Sequence, residues 1–153
     1  MNKIKDAEIN LTAKQEEKLE RFCEILKEYN EKFNLTSITD DEGIYEKHFA
    51  DSLKGEEFFF ENAKVLEIGS GGGFPSVPLK IARDDLDFTL VEATGKKCSY
   101  LKTIGKELGF ENFEVLNDRA EELGKKEEYR EKFDIVTARA VAGLNVLCEY
   151  CLP

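Results

Sequence analysis

The sequence predicts an α/β fold in which a mostly parallel sheet is covered by helices. From residue 64 onward, short apolar runs alternate with stretches of helical periodicity, which is typical of doubly wound sheets with right-handed crossovers. In addition, four glycines at positions 69 and 71–73 directly follow the first apolar run, and Pro75 suits a helix start. A strand, a glycine loop and a helix start in succession predict a ligand site at a strand end.

Composition limits the class of protein before any motif is considered. The chain has 153 residues, of which 41% are hydrophobic and 35% are charged, and this is ordinary for a globular protein with one core. No apolar run has membrane-spanning length and the N-terminus lacks a signal-peptide pattern, so we expect a cytoplasmic protein with no membrane partner. The net charge of −10 argues against non-specific binding to a polyanion.

Residues 1–62 are expected to form a helical extension that packs on the following unit. Thr12 and Gln15 form a capping box, and apolar residues at three- and four-residue steps then predict an amphipathic helix over 12–33. Acidic residues at 40–42 suit the start of a second helix. The apolar segment 58–60 is expected to be largely buried.

Residues 63–153 are expected to form the ligand-binding domain of the chain. Periodicity predicts four strands, at 64–68, 87–92, 113–117 and 133–138. It also predicts helices at about 75–83, 96–108 and 141–152, with a short helix or turn at 118–123. Because ligands of such sheets bind at the carboxyl ends of the strands, the residues that follow each strand are the candidate site residues.

The spacing of the glycines distinguishes between two kinds of nucleotide site. A dinucleotide fingerprint counted from Gly69 would need a third glycine at position 74, which is Phe74. The spacing that fits is Glu67-x-Gly69-x-Gly71-x-Gly73, which resembles the first motif of Rossmann-like S-adenosylmethionine (SAM) methyltransferases. The resemblance implies that Glu67 lies near the methionine ammonium group and that the glycines make room for SAM. A glycine-rich turn without a ligand is the weaker alternative.

Three further strand ends carry candidate site residues. Glu92 ends the second strand, where an acidic residue can accept both ribose hydroxyls. Ala120 and Glu121 follow the third strand, where a small residue leaves room for an adenine ring, but a capping aspartate beside a solvated Glu121 fits equally well. Arg139 follows the fourth strand and could hold a phosphate or a guanine O6, although a lone arginine is usually a surface charge.

No metal site and no catalytic histidine are expected. The only histidine, His48, follows no predicted strand, so a structural role is favoured over a catalytic one. Cys148 and Cys151 lack the two further ligands of a zinc site, and they lie at a predicted helix end, where a redox pair is not expected. The four cysteines are expected to be small buried side chains in a reducing compartment.

Five segments occur together in the order that is typical of one protein family. They are Asn34-Leu35-Thr36, His48-x-x-Asp51-Ser52-Leu53, the loop from Glu67 to Pro75, Asp118-Arg119-Ala120-Glu121, and Val136-Thr137-Ala138-Arg139-Ala140-Val141-Ala142. From about Tyr29 to its end the chain resembles the bacterial 16S rRNA guanine-N7 methyltransferases (RsmG, also called GidB). The resemblance implies a Rossmann-like class I SAM-methyltransferase fold, with SAM as cofactor. It also implies cofactor contacts at Gly69, Phe74, Ala120, Glu121 and Arg139.

The sequence departs from this family in two residues and in length. Glu67 stands where aspartate is common and Ser76 where glycine is common, and neither change is expected to prevent SAM binding. The family's chain continues further and its sheet has seven strands, whereas four are predicted here. We therefore expect a C-terminally truncated chain that binds SAM weakly. The open sheet edge beside the fourth strand would then permit self-association, although the oligomeric state itself is not predicted.

The resemblance implies methyl transfer to N7 of one guanine, with 16S rRNA or the small ribosomal subunit as the partner. N7 carries a lone pair and no proton, so the reaction needs no general base, and positioning dominates catalysis. Arg139 could orient the base through O6, and Phe74 could stack on it. Two alternatives stay open: a SAM-dependent enzyme for a small molecule, which the charge of −10 suits better, and an inactive cofactor-binding fragment.

Overall fold

Four parallel strands form the sheet around which the described residues, 9–138, are arranged in the computed structural model. The strands are β1 (Lys64–Ile68), β2 (Asp87–Glu92), β3 (Phe113–Asn117) and β4 (Ile135–Ala138). Their spatial order is β3-β2-β1-β4, so the chain moves outward from β1 and then returns to its other side. The carboxyl ends of β1 and β4 therefore flank the topological switch point, where ligands of such sheets bind.

Helices precede the sheet and connect its strands. The N-terminal elements are α1 (Ala13–Lys32), the short turn α2 (Asp41–Gly43), a π-helix (Ile44–Ala50), the short turn α3 (Asp51–Leu53) and a 3-10 turn (Glu56–Phe58). The connecting helices are α4 (Ser76–Ala82), α5 (Gly95–Glu107) and α6 (Ala120–Leu123). All four predicted strands and the connecting helices up to residue 123 are confirmed, with boundaries shifted by two residues at most.

The capping box at the start of α1 is present as predicted. The Thr12 hydroxyl accepts a hydrogen bond from the Gln15 N–H at 3.2 Å, and the Thr12 N–H donates to Gln15 Oε1 at 2.8 Å. Gln15 Nε2 also donates to the carbonyl of Ala82 at 3.2 Å. This contact joins the first turn of α1 to the last residue of α4. It therefore fixes the position of α1 relative to α4.

Alternating residues of β1 enter two different hydrophobic clusters. Val65 belongs to the larger cluster, which contains the apolar faces of α1, α4 and α5. Leu66 and Ile68 belong to a smaller cluster on the opposite face, with Leu123 of α6. Burial on both faces is typical of parallel sheets and explains the continuous apolar runs in the strands.

The N-terminal helices share one continuous core with the sheet. Leu19, Phe22 and Leu26 of α1 are fully buried in the cluster that also contains Val77 of α4 and Leu101 of α5. The core thus crosses the expected domain boundary after residue 62. The division of the chain into an extension and a ligand-binding domain stays a prediction.

The apolar segment 58–60 is less buried than the sequence predicts. Only Phe59 is buried, whereas Phe58 and Phe60 are 76% and 57% exposed. Phe59 follows the 3-10 turn with an extended backbone. Neighbouring side chains of extended backbone point to opposite sides, so burial of Phe59 turns Phe60 toward solvent.

Some expectations concern residues outside the described part of the chain. These are the last predicted helix (141–152), Arg139, and the cysteines at 148 and 151. Within residues 9–138, no helix combines the length and the apolar character needed to cross a bilayer.

An ion pair fastens the connection between α4 and β2 to the segment before β1. Arg83 Nε and Nη2 each donate to one carboxylate oxygen of Asp85 at 2.8 Å, and Arg83 Nη1 donates to the carbonyl of Phe59 at 3.0 Å. The Asn62 N–H also donates to Asp85, at 2.9 Å. Chiefly because of the Arg83 hydrogen bonds, the pKa of Asp85 lies well below its usual range.

We expect Asp85→Asn to lower the free energy of unfolding by about 1 kcal/mol at pH 7, because it removes a partly buried charge-assisted pair. The contribution of Asp85 is complete above its unfolded-state pKa of roughly 4, and it is lost as the pH falls from there through the lowered folded-state pKa. Urea unfolding at pH 7 and at lower pH measures both effects.

Asp84→Asn is the matched control, because it removes the same charge from the same connection. The Asp84 carboxylate makes no hydrogen bond to another residue within 9–138, but its charge stabilises the ammonium group of the buried Lys80. We expect Asp84→Asn to destabilise the chain less than Asp85→Asn does. Equal destabilisation by the two variants at pH 7 would contradict the role given to Asp85.

Candidate functional site

The loop between β1 and α4, residues 69–75, is the centre of the candidate site. Gly69, Gly71 and Gly73 have positive φ angles of 65°, 51° and 94°, a region that disfavours residues with a Cβ. A Cβ on Gly73 would also lie 2.7 Å from Val77 Cγ2. A Cβ on Gly71 would meet only the Gly69 carbonyl oxygen, at 3.9 Å, among the described residues. Gly73 thus permits close helix packing, and Gly71 leaves a space that a ligand can enter.

Glu92, at the end of β2, holds the glycine loop from the side. It is buried, and its Oε2 accepts a hydrogen bond from the Gly71 N–H at 2.9 Å, while Oε1 accepts from the Thr94 N–H at 3.3 Å. The Asn117 side-chain amide, oriented to satisfy its hydrogen bonds, donates to the carbonyls of Glu92 and Ala93 at 3.2 and 3.1 Å. Each carboxylate oxygen has two lone pairs, so Glu92 can hold the loop and still accept a ligand hydroxyl.

Glu67, in β1, stabilises the start of the helix that follows the loop. Its side chain is buried, and Oε1 accepts a hydrogen bond from the N–H of Ser76, the first residue of α4, at 3.0 Å. A carboxylate at a helix N-terminus is favoured by the helix dipole. The predicted position of Glu67 near a methionine ammonium group stays a prediction.

Ala120 and Glu121 form the start of α6, after β3. Ala120 is half-buried against the smaller hydrophobic cluster, and Glu121 is exposed. Asp118 accepts hydrogen bonds from Lys126 Nζ at 2.7 Å and from the Arg119 N–H at 2.8 Å, and these contacts, the lysine first, lower its pKa. Asp118 does not cap α6, because the N-cap of this helix is Arg119 and it has no side-chain cap hydrogen bond. The capping alternative is therefore wrong, and the cofactor contacts of Ala120 and Glu121 stay predictions.

The structure brings some of the predicted site residues together. Gly71 and Glu92 are in direct hydrogen-bond contact, and Glu67 bonds to the residue that follows Pro75. Ala120 and Glu121 follow β3, at the same edge of the sheet but two strands away from β1. Arg139 lies outside the described residues, and its role stays a prediction.

Tyr100 of α5 anchors the glycine loop, a contact that the predicted helix at 96–108 does not by itself indicate. It is fully buried, and its hydroxyl donates a hydrogen bond to the carbonyl of Gly72 at 2.8 Å. Burial raises the pKa of Tyr100 well above its usual value. A tyrosine in a buried helical stripe usually finds a hydrogen-bond partner, and this signal was available in the sequence.

Phe74 packs into a cluster of aromatic rings that includes His48. The His48 ring stacks on it at a centroid distance of 4.4 Å and an angle of 17°, and the rings of Phe22 and Phe49 lie at 5.5 and 6.0 Å. Packing within the protein therefore accounts for Phe74 without a target base. No spacing in the sequence indicated that His48 lies against the glycine loop.

Two buried hydroxyl groups near the loop have no hydrogen-bond partner among the described residues. They are Ser70 Oγ and Thr137 Oγ1. Ser70 lies inside the loop, and Thr137 lies opposite Glu67 in the parallel pairing of β1 with β4. The partner of each hydroxyl is therefore a residue outside 9–138, a bound water or a polar ligand. Neither residue is titratable, so no chemical pattern in the sequence distinguishes them as site residues.

Comparison with known proteins identifies close relatives. The family model described as rRNA small subunit methyltransferase G matches residues 15–153. A curated protein named ribosomal RNA small subunit methyltransferase G from Brevibacillus brevis is 48% identical over 147 residues, which cover 95% of this chain and 62% of that protein. The protein of the same name from Lysinibacillus sphaericus is 45% identical, covering 98% and 64%. The chain thus spans less than two thirds of the length of these relatives.

Solved structures resemble this chain at the level of the fold. A protein-L-isoaspartate O-methyltransferase aligns with a TM-score of 0.52 at 19% identity, covering 78% of this chain and 47% of the other. A coclaurine N-methyltransferase bound to N-methylheliamine and SAH aligns with a TM-score of 0.51 at 16% identity, covering 77% and 34%. The Rossmann-like class I methyltransferase fold predicted from the sequence is confirmed.

We expect Gly73→Ala to lower the free energy of unfolding by roughly 1–3 kcal/mol, because a residue with a Cβ is strained at the positive φ of this position and the Cβ would clash with Val77. Gly124→Ala is the control, since Gly124 has a negative φ and its Cβ would lie 3.6 Å from the nearest atom. Urea unfolding compares the two variants. If they proved equally stable, the packing role of Gly73 would be wrong.

Proposed function

Because the chain belongs to the rRNA small subunit methyltransferase G family, we propose that it transfers a methyl group from SAM to N7 of a specific guanine in 16S rRNA. The observation that carries this proposal is the family match over residues 15–153. The proposed partner is 16S rRNA or the small ribosomal subunit, and the proposed location is the cytoplasm.

The residues around the glycine loop fit SAM as the cofactor. Glu92 would hold the ribose hydroxyls, because its two oxygens face the strand end and keep accepting capacity beyond the bonds to Gly71 and Thr94. The space beside Gly71 and the buried hydroxyl of Ser70 suit a ligand with polar groups. When bound, SAM supplies the electrophilic methyl group.

Further cofactor contacts follow from the family resemblance. Gly69 and Phe74 would contact SAM from the loop, Ala120 and Glu121 from the start of α6, and Arg139 from beyond β4. Glu67 would lie near the methionine ammonium group, and Gly73 would keep the loop close to α4.

The chain's own part in the reaction is to position the two reactants. Guanine N7 needs no deprotonation before it attacks a methyl group, and so no general base is required. Near the loop, the carboxylates of Glu67 and Glu92 are held by backbone N–H groups. Arg139 is proposed to orient the base through O6 while it leaves N7 free. In-line alignment then lowers the barrier.

The domain arrangement and the self-association are proposed as well. We propose residues 63–153 as the SAM-binding domain and residues 1–62 as a helical extension packed against it. The contact that would support self-association is the edge of the sheet at β4.

A second candidate function is methyl transfer to a small molecule. The net charge of −10 favours it, since a strongly acidic protein repels a polyanionic substrate. The acceptor therefore has to be tested together with the cofactor.

We expect S-adenosylhomocysteine (SAH) to bind the chain at a ratio of 1:1, and we expect Gly71→Asp to weaken this binding by about 10-fold or more, because the new carboxylate would fill the ligand space beside Glu92. Isothermal titration calorimetry measures both. Gly109→Asp is the control: its φ is +65° and its Cβ would meet no atom within 4 Å. Binding that both aspartate variants retain would place the cofactor elsewhere.

We expect labelled methyl groups from SAM to appear in 16S rRNA of small subunits that lack the modification. Borohydride and aniline treatment cleaves the RNA at 7-methylguanine and locates the base. Methyl transfer to small acceptors but not to RNA would favour the second candidate function. SAH binding without methyl transfer to RNA or to small acceptors would contradict both candidate functions.

A further inference from the structure

We propose that His48 is a positioning residue: its ring, stacked on Phe74, holds the glycine loop in the conformation that receives the cofactor. The inference rests on the proposed function, because residues 69–75 are the proposed SAM site. It gives a specific task to a residue for which the sequence favours a structural role and which the proposed reaction does not use.

The stacking contact is the closest one in the aromatic cluster around the loop. The centroids of His48 and Phe74 are 4.4 Å apart with an interplanar angle of 17°, whereas the rings of Phe22 and Phe49 are further away and tilted. His48 therefore covers one face of the Phe74 ring. Since Phe74 is part of the loop, the stack restricts the positions that this residue of the loop can take.

The orientation of the His48 ring is set by a chain of hydrogen bonds. Its Nε2 lies 2.9 Å from the hydroxyl of Thr36, and that hydroxyl also accepts a bond from the Ile38 N–H at 3.1 Å. Asn30 Oδ1 in turn accepts bonds from the N–H groups of Leu35 and Thr36, at 2.8 and 2.9 Å. Asn30, near the end of α1, thus holds the turn at Leu35 and Thr36, and Thr36 in turn orients the imidazole ring.

The backbone around His48 supports the same contact. His48 lies in the π-helix Ile44–Ala50, and such turns are rare and frequent at functional sites. A π-helix rotates less per residue than an α-helix, so the adjacent His48 and Phe49 can both reach Phe74. The Ser52 hydroxyl donates to the carbonyl of His48 at 2.6 Å, which stabilises the turn.

These contacts account for two motifs that the proposed reaction does not use. Thr36 belongs to the segment 34–36, and His48 and Ser52 belong to the segment 48–53. The first segment contacts the second through the hydrogen bond between Thr36 and His48, and the second segment contacts Phe74 through the His48 ring. Histidine suits this position because its ring can stack on a phenylalanine and also form a hydrogen bond at its edge, which a phenylalanine cannot do.

The test compares His48→Ala, His48→Phe and Phe110→Ala with the unmodified chain. Phe110→Ala is the matched control, since it removes another half-buried ring, 5.0 Å from Phe113, at the opposite edge of the sheet. Two quantities are measured: amide hydrogen exchange at Gly71 and Gly73 by NMR, and SAH affinity by calorimetry. Both amides donate hydrogen bonds in the loop, so their exchange reports its opening.

We expect His48→Ala to accelerate exchange at Gly71 and Gly73 and to weaken SAH binding, each by about 10-fold. His48→Phe keeps the stack and should stay within about 3-fold of the unmodified chain in both quantities. Phe110→Ala should change neither of them. Rescue by phenylalanine separates positioning by the ring from a general loss of stability.

The proposal is overturned if His48→Ala exchanges at the loop like the unmodified chain, or if His48→Phe is as impaired as His48→Ala. If the unmodified chain does not bind SAH, the proposed function is wrong. The hydrogen-exchange measurement at Gly71 and Gly73 then still tests whether His48 holds the loop. Should His48→Ala fail to fold, Thr36→Val replaces it in the test, because it removes the hydrogen bond to the His48 ring. We then expect exchange at the two glycine amides to accelerate and SAH affinity to fall, each by about 3-fold. No change in that variant would likewise overturn the proposal.

Discussion

The hydrogen bond between the Gly71 N–H and Glu92 is the contact on which the geometry of the candidate site depends. It joins the loop after β1 to the end of β2 across a distance of 2.9 Å. Because the N–H belongs to a glycine with positive φ, the loop can turn back over the strand end without steric strain. A buried carboxylate must be hydrogen-bonded, so the same contact stabilises Glu92 in the position where a ribose would be bound.

The loop is also supported by contacts from three other elements of the fold. Tyr100 of α5 bonds to the carbonyl of Gly72, Glu67 of β1 bonds to Ser76, and His48 stacks on Phe74. Each support comes from a different element. A loop rich in glycine has high conformational entropy when it is free, and several contacts are needed to hold it in one conformation.

Local sequence signals predicted most of the fold and only part of the site. The strands were predicted because buried parallel strands form continuous apolar runs, and α1 because Thr12 and Gln15 cap it locally. Phe58 and Phe60 were predicted wrongly, because composition alone does not tell which side of an extended segment is covered. The contact between His48 and Phe74 spans 26 positions of the chain, and no periodicity within either segment encodes it.

The continuous core has a consequence for the modularity of the protein. Phe22 and Phe49, which precede β1, pack against Phe74 inside the glycine loop. The aromatic rings that pack against the glycine loop thus come from the first third of the chain, whereas Tyr100 and Glu92 support the loop from the remainder. A fragment that begins at β1 would retain every glycine of the motif and lose the surface that shapes them. Exchange of the N-terminal helices between relatives would in this way alter the glycine loop as well as the outer surface.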